Sequence, residues 1–428
     1  MLRDACRLLL GSALPLGCAF AALWPVQARA DSDLKLFTRD SFELNGDVRL
    51  VAVNGEKSWV EAGFGKLRSG GDGDLRVQPQ LGNFDLVWKP QFTWSLGAVV
   101  VGAVQGGQRT DAGLSQAYLT YRPMRSSGGL AFSARAGLMW PPVSLEHEGA
   151  DWHVRDSITP SAINSWMGEE VRPVAVEATV ATKLGAHKLR ATAAIFAAND
   201  TAGTLLTFRG WALHDRTTLA FQSEPLPPLG DFTGHQAPFT HSLADLAPGF
   251  ARRPGYYAKL AWAPPAPVRL ELFHYDNRAD PQIVTSTPEW GWRTRFDDVG
   301  VVADLGSGAE FKAQALRGRT RMGFVMFDRR FVDERFRSAY AMLTKPFGKV
   351  GIAARVEAFD TSNRGSIWTD EYNEHGWSAM LAAKRQGGPV TGLAELLHVW
   401  SDSPLREHAD EEERQRQTQL QAEVRIHW

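Results

Sequence analysis

Long parts of the chain alternate between apolar and polar positions with a period of two residues. The clearest case ends the chain, where Leu420, Ala422, Val424, Ile426 and Trp428 share one face and polar residues fill the other. Successive side chains of a β-strand point to opposite faces, so this alternation indicates a strand with one apolar and one polar face. We predict a final strand over 416–428.

The same alternation recurs along the rest of the chain, in stretches close to the roughly 9–11 residues that cross a bilayer as a tilted strand. We predict about 16 strands, at 42–53, 80–88, 91–105, 113–122, 129–140, 170–183, 187–199, 254–262, 267–277, 293–304, 308–318, 336–345, 349–360, 375–385, 390–401 and 416–428.

The connections between these strands alternate in length. Short Gly- and Pro-containing turns alternate with long polar loops at 54–79, 141–169, 200–253, 278–292, 319–335, 361–374 and 402–415. This asymmetry predicts an all-β fold: a transmembrane antiparallel β-barrel with short periplasmic turns and long extracellular loops. Loop 200–253 is unusually long, and a hairpin over Leu205–Ala212 and Thr217–Gln222 would raise the number of strands to 18. The proline-rich run at 225–229 argues against that hairpin.

Tryptophans near the predicted strand ends support the membrane interpretation, because aromatic side chains form girdles at the lipid–water interface. The alternative is that they belong to the core of a soluble β-sandwich. The tryptophans concerned are Trp88, Trp94, Trp140, Trp262, Trp377 and Trp428.

The N-terminal segment has the features of a targeting signal. Arg3 and Arg7 precede an apolar run over 8–24, and an A-x-A sequence ends at Ala30. This pattern predicts a cleaved signal peptide over 1–30, followed by a single barrel domain over 31–428. The alternatives are an N-terminal membrane anchor or a lipoprotein. Cleavage would remove both cysteines, so a thiolate nucleophile is excluded from the predicted mature chain.

Overall charge and motifs exclude several functions. The formal net charge is −1, so the overall charge does not indicate a nucleic-acid-binding protein. No G-x-S-x-G, H-E-x-x-H, P-loop or dinucleotide fingerprint is present, and we predict no enzymatic activity and no cofactor. The acid and histidine cluster after residue 145 matches no metal-site template, and no metal is predicted.

Loop 141–169 follows the fifth predicted strand and begins with Pro141-Pro142, which removes two hydrogen-bond donors from the ladder. If the loop folds into the barrel, its charged residues would face basic residues on the polar strand faces. The resulting transverse field would orient dipolar solutes and filter ions. The alternative is a lid that folds outward. The constriction candidates are Glu146, His147, Glu148, Asp151, His153, Arg155 and Asp156, and the lumen-wall candidates are Arg49, Arg135, Arg190, Arg269, Arg355 and Arg425.

A basic stretch runs from Arg317 to Arg337. It predicts a surface that captures anions or contacts anionic lipopolysaccharide. The alternative is a solvated loop balanced by Asp328, Asp333 and Glu334.

Two sequence features resemble known outer-membrane proteins. The last strand, with Val424, Ile426 and Trp428, resembles the terminal strand that the barrel-assembly machinery reads in bacterial outer-membrane barrels. The segments LSQAYLTY (Leu114–Tyr121) and ARAGLMWPP (Ala134–Pro142), with the loop over 152–174, resemble trimeric sixteen-stranded porins related to the phosphate-selective group. The resemblance implies a homotrimer in the bacterial outer membrane. The phosphate preference is not carried over, because lysine is scarce and the predicted lumen has mixed charge.

Three functions follow from this interpretation. The first is a porin through which small polar or charged solutes diffuse passively, since about 16 strands enclose an aqueous channel. The second is a channel specific for one class of solute, such as anions. The third is an outer-membrane enzyme or adhesin whose loops carry the activity. Expected partners are outer-membrane lipid and lipopolysaccharide, small solutes and the assembly machinery.

Overall fold

The structure is a computed structural model. It describes residues 34–71, 73–106, 111–124, 129–227, 237–243, 253–285, 288–363, 365 and 373–428. The predicted signal peptide over 1–30 lies outside the described residues.

Sixteen antiparallel strands close into one barrel, which confirms the predicted fold class. Two further strand pairs lie in loops: β6 (His147–Glu148) with β7 (His153–Val154), and β10 (Ser223–Pro225) with β11 (Phe239–His241). The barrel strands are β1 (Phe42–Val53), β2 (Arg76–Trp88), β3 (Leu96–Gln105), β4 (Ala112–Tyr121), β5 (Ala131–Leu138), β8 (Pro173–Leu184), β9 (His187–Asn199), β12 (Gly255–Ala263), β13 (Val268–Asp276), β14 (Arg293–Gly306), β15 (Ala309–Met326), β16 (Arg329–Phe347), β17 (Val350–Ser362), β18 (Glu374–Gly387), β19 (Val390–Asp402) and β20 (Arg414–His427).

Helices are short and lie in the loops. The α-helices span Ala162–Glu170 and Thr204–Arg209, and the 3-10 helices span Arg39–Ser41, Trp59–Glu61 and Pro404–Ala409. No helix in the described part of the chain is long and apolar enough to cross a membrane.

The barrel closes where β1 pairs with β20, from Asn45 opposite His427 to Val53 opposite Gln419. The last residue completes this seam: the Trp428 amide donates to the Leu44 carbonyl at 2.9 Å, and the Leu44 amide donates to the Trp428 carbonyl at 2.8 Å. The alternating terminal segment is therefore a full member of the ladder to its final residue.

Alternation places polar side chains inside the barrel and apolar side chains outside. On β20, Gln421 and Glu423 are buried in the lumen, whereas Leu420 and Ile426 point outward and are 55% and 52% exposed. The other strands repeat this pattern, so an apolar band surrounds the barrel. This distribution is typical of a barrel that lipid surrounds, and the β-sandwich alternative is wrong.

Two predicted loops differ in the structure. The predicted loop over 319–335 is mostly strand, because β15 continues to Met326, turns at Phe327 and Asp328, and returns as β16. Both turn residues have positive φ, at 49° and 62°. In loop 200–253 the segment Leu205–Ala212 forms a buried helical turn and coil, and Thr217–Gln222 forms no barrel strand. The predicted eighteen-strand alternative is therefore wrong.

The barrel interior contains a packed core. Three loops fold inward, over 54–71, 139–172 and 200–227, and their apolar side chains meet the lumen-facing side chains of the wall. Ile163, Trp166 and Met167 of the α-helix Ala162–Glu170 pack in this cluster with Phe296 and Phe336 of the wall. The Trp166 ring lies 5.3 Å from Phe296 and 5.1 Å from Phe336, measured between centroids. Aromatic packing thus fixes the helix against β14 and β16.

Candidate channel constriction

The loop over 139–172 enters the lumen from the long-loop end of β5. Ser161 caps its helix by accepting a hydrogen bond from the Asn164 amide at 3.4 Å, and all nine helix residues, Ala162–Glu170, are buried. A buried helix needs its first amides satisfied. The Ala162 amide donates to Glu357 on β17 at 2.7 Å. The wall of the barrel therefore helps to cap the helix.

One anchor of this loop is a buried ion pair. The Arg355 guanidinium on β17 donates to Glu146 at 2.8 Å and to the Thr159 and Pro160 carbonyls at 2.9 Å. Glu146 also accepts from the Ser161 hydroxyl at 2.6 Å. Both charged side chains are excluded from solvent, so this pairing offsets their desolvation only while the loop stays in place.

A second anchor lies on β19. The amides of Ile158 and Thr159 donate to the Glu395 carboxylate at 2.7 Å and 3.0 Å. Glu395 is buried and faces the lumen. Charge-assisted hydrogen bonds of this kind hold an irregular segment that no ladder supports.

The ribbon of β6 and β7 reaches the short-turn end of the barrel. Asp156 pairs with Lys384 on β18 at 2.9 Å and with Lys312 on β15 at 3.4 Å. Burial raises the pKa of Asp156, but the opposite effect of these lysines and Arg155 is larger and lowers the pKa to about 2. Arg155 also pairs with Glu148 at 3.0 Å and with Glu310 of β15. This end of the loop is cross-linked to the wall by mixed charges.

The histidines of the loop have different surroundings. His147 stacks on Trp152 with ring centroids 3.7 Å apart, and its Nδ1 lies 2.8 Å from the Ser144 hydroxyl. Burial lowers the pKa of His147 to about 3. His153 lies 2.9 Å from Asp151, which accepts a hydrogen bond from the side-chain amide of Asn45 at 2.9 Å. Among the described residues, no group of three acids, histidines or cysteines is arranged to hold a metal ion.

Two of the predicted wall arginines contact this loop. Arg355 binds Glu146 as described above, and Arg425 donates to the Val154 carbonyl at 2.6 Å while pairing with Glu423 at 2.7 Å. The acidic loop and basic wall thus meet in direct bonds rather than across an open gap. Arg49 binds a different loop, through Asp215 at 2.7 Å.

The other three wall arginines lie away from the loop anchors. Arg135 pairs with Glu177 on the neighbouring strand at 2.8 Å, and Arg269 pairs with Glu271 at 2.8 Å. Arg190 is exposed near the short-turn end. Arg190 and Arg269 contribute to a mixed-charge vestibule at that end, whereas Arg135 lies deeper in the lumen beside Glu177 and Tyr257.

Sequence reasoning missed the other two inward loops. Asp215 binds both Arg49 and Arg68, the latter at 3.1 Å. Glu169 of the helix forms an ion pair with Arg209 and lies 3.1 Å from His214. Burial raises the pKa of Glu169, but these two partners lower it below its usual range. The unusual length of segment 200–253 was the one sequence feature that could have indicated an inward loop, since its residues 200–227 are largely buried in the barrel.

Lys66, in the inward loop over 54–71, was also missed by the sequence-based prediction. It pairs with Glu374 and donates to the Arg209 carbonyl at 3.0 Å. Burial lowers the pKa of Lys66 to about 8. The three inward loops therefore form one connected polar network around an apolar centre.

Comparisons with known proteins reveal a shared fold. No protein-family model matches the sequence, and no curated protein matches it. The outer membrane channel DcaP of Acinetobacter baumannii is similar in structure, with a TM-score of 0.55 and 10% identity over 92% of this chain and 99% of that one. This likeness shows that the fold is that of an outer-membrane β-barrel.

Two further solved structures cover nearly the whole chain with lower scores. An anion-selective porin from Comamonas acidovorans has a TM-score of 0.47 and 12% identity, over 90% of this chain and 98% of that one. OmpT, an outer membrane protein of Vibrio cholerae, has a TM-score of 0.46 and 8% identity, over 93% of this chain and 100% of that one.

Proposed function

We propose that this chain is a porin-type channel of the bacterial outer membrane that passes small polar or charged solutes, with loop 139–172 as its constriction. The observation that carries the proposal is the bond between Glu146 and Arg355, which joins the loop to the lumen face of β17. A loop fixed in this way narrows the lumen and lines the remaining passage with charge. Passive diffusion is part of the proposal.

A solute-specific channel is the second candidate. The observation that favours it is the packing of three loops inside one barrel, with Trp166, Trp211 and Leu213 in the apolar centre. Such packing leaves less lumen than sixteen strands alone would enclose. The exposed cations of the short-turn vestibule would suit anions, but carboxylates accompany them, so no phosphate preference is proposed. An enzyme or adhesin remains a third alternative, and we propose no catalytic role.

The remaining partners belong to the same proposal. The protein assembles as a homotrimer, and the barrel-assembly machinery recognises its last strand through Val424, Ile426 and Trp428. DcaP is described as a channel of the outer membrane, and its similar fold supports this placement.

The proposal is tested by replacing Glu146, Glu148 and Asp151 together with Asn. Replacing the three carboxylates removes negative charge from the loop and leaves Arg355 without its partner Glu146. The ion selectivity of the pore should therefore shift toward anions, and its conductance should change. The measurement is the reversal potential in a salt gradient across a planar bilayer, together with single-channel conductance.

The matched control replaces three exposed acids of the loop between β19 and β20, Glu407, Asp410 and Glu412, with their amides. These positions lie outside the lumen anchors, so the control should retain the wild-type reversal potential. Wild-type reversal potential and conductance in the lumen triple variant would rule out loop 139–172 as the constriction.

A further inference from the structure

The outward face of β13–β17 carries ordered rows of charge near the long-loop end. Strand register places His274, Asp297, Arg317, Arg337 and Asp360 side by side on five neighbouring strands. Two residues further along the strands toward the long-loop end, Arg295, Arg319 and Arg335 are neighbours on β14, β15 and β16. We call these five arginines the arginine belt: Arg295, Arg317, Arg319, Arg335 and Arg337.

The belt lies directly above the apolar band. Two residues along the strands toward the short-turn end, the corresponding outward row is Leu272, Val299, Ala315, Ala339, Ala358 and Trp377. An abrupt change from apolar to charged residues, with an aromatic residue at the boundary, marks the lipid–water interface. Because long loops face the outside of the cell in such barrels, the belt lies at the headgroups of the outer leaflet.

The belt has more positive charge than its neighbours balance. Asp276, Asp297 and Asp360 are the acids of these rows, and the next row adds Arg293, Arg321 and Asp333, so seven arginines face four carboxylates. Arg317 lies 3.9 Å from Asp297, and Arg337 pairs with Asp360 at 2.8 Å, yet their side chains are 84% and 74% exposed. Arg295 and Arg335 are exposed, and neither contacts a carboxylate of the described residues. Like charges on adjacent strands repel, so the arrangement favours a bound anion.

The local shape suits an amphiphile. The belt residues line a depression of about 950 Å³. Below it, on the same side of the barrel, an apolar groove of about 460 Å³ is bordered by Leu343, Val356 and Leu381 and contains Ala341 and Ala354. Small alanines between larger side chains leave room for a hydrocarbon chain. The face therefore combines an anion-binding head region with an apolar channel below it.

We propose that the arginine belt binds the phosphate groups of a phosphorylated glycolipid of the outer leaflet, while an acyl chain of that lipid lies in the groove over Ala341 and Ala354. Guanidinium groups bind phosphate in a bidentate manner, and several arginines in two rows match a headgroup with more than one phosphate. This site lies on the outside of the barrel and goes beyond the proposed channel function.

The other side of the barrel supports this assignment. The outward positions of β2–β5, β8 and β9 within the strand ladders hold no Asp, Glu, Lys or Arg. Outward-facing Lys and Arg residues of the described strands thus lie on the half of the circumference formed by β13–β20, and their densest group is the arginine belt.

The test measures lipid binding by native mass spectrometry of the intact protein in detergent, titrated with hexa-acylated bisphosphoryl lipid A. The belt variant replaces Arg295, Arg317, Arg335 and Arg337 with Gln and keeps the pair of Arg319 with Asp333. The control variant replaces Arg414 and Arg416, exposed residues of β20, with Gln. We expect the belt variant to bind lipid A at least about tenfold more weakly and the control to match the wild type.

Further arms separate the sources of binding. Dephosphorylated lipid A should bind as weakly as the belt variant does, and Ala354→Phe, which fills the groove, should weaken binding without removing any charge. Equal binding of lipid A by the wild type and the folded belt variant would overturn the proposal. So would equal binding of the dephosphorylated lipid, or binding of inorganic pyrophosphate alone with the affinity of lipid A, which would identify a site for soluble phosphate.

Discussion

At the scale of single residues, Arg355 connects the wall of the barrel to the loop inside it. Its side chain has no exposed surface and contacts Glu146, the Thr159 carbonyl and the Pro160 carbonyl. Removing one member of a buried ion pair leaves the other charge without compensation. The stability of the loop therefore depends on this residue more than on the exposed charges around it.

We predict that Arg355→Ala lowers the free energy of unfolding by about 3–5 kcal/mol, the range for a broken buried ion pair. The freed loop should also increase single-channel conductance and its fluctuation. Tryptophan fluorescence during guanidinium unfolding in detergent gives the first quantity, and bilayer recording gives the second. The control is Arg269→Ala, since the Arg269 side chain is 49% exposed and its pair contributes little. Similar values for both variants would contradict this role.

His147 gives a prediction about pH. Its folded pKa of about 3 lies below the value of about 6.5 for a free imidazole, because burial disfavours the charged form. Between these values the unfolded chain binds a proton that the folded chain does not. Stability should therefore fall as pH decreases from about 6.5 toward 3.

The matched variant is His147→Phe, which keeps a ring beside Trp152 but does not titrate. Its unfolding midpoint should change less than that of the wild type between pH 7 and pH 4.5. An identical pH dependence in both proteins would show that His147 is not responsible.

At the scale of elements, the last strand carries both the seam and part of the lipid face. Val424 points outward near the middle of the apolar run on β20, whereas Ile426 lies one pleat closer to the chain end. A charge on the lipid face costs about 2–4 kcal/mol at the midplane and about 0–1 near the interface. Position along the strand should therefore set the effect of a charge.

We predict that Val424→Arg impairs barrel assembly more than Ile426→Arg does. Deleting Trp428 should also impair it, because the deletion removes both backbone bonds to Leu44. The fraction of folded protein is read from the shift in gel mobility between unboiled and boiled samples. Normal assembly without Trp428 would contradict its role as a signal.

The strands could be predicted because their information is local. Alternation along β17 or β20 specifies which side chains face the lumen, and no distant partner is needed. The interior could not be predicted in the same way. Glu146 meets Arg355 across 209 positions of sequence, and nothing near either residue indicates the other. The length of the hairpin from β15 to β16 was predicted too short, because its many charged residues favoured a loop. Met322 and Val332 nevertheless continue the alternation of buried residues there.

At the scale of the whole molecule, the two sides of the barrel differ. The belt side is charged at the outer interface, whereas the outward positions of β2–β5 are apolar or uncharged, with small residues such as Ala98 and Gly102. A small, apolar surface is suited to contact with another protein chain as well as with lipid. This side is where we place the contact in the proposed homotrimer.

We predict that the detergent-solubilised protein has the mass of a trimer and that Val100→Arg, on this side, yields monomers. The control is Val301→Arg on β14, which places the same charge on the opposite side at a similar cost of insertion. Light scattering coupled to size-exclusion chromatography gives the mass. Dissociation by both variants, or by neither, would place the contact elsewhere.

The loop inside the barrel also has a consequence for the order of events during biogenesis. Segment 139–172 is tied at both ends to β5 and β8, and its partners Arg355, Lys384, Glu395 and Arg425 belong to β17–β20, which are synthesised much later. The loop can form these bonds only after β17–β20 have been synthesised and have joined the barrel, so we expect it to reach its final position late in biogenesis.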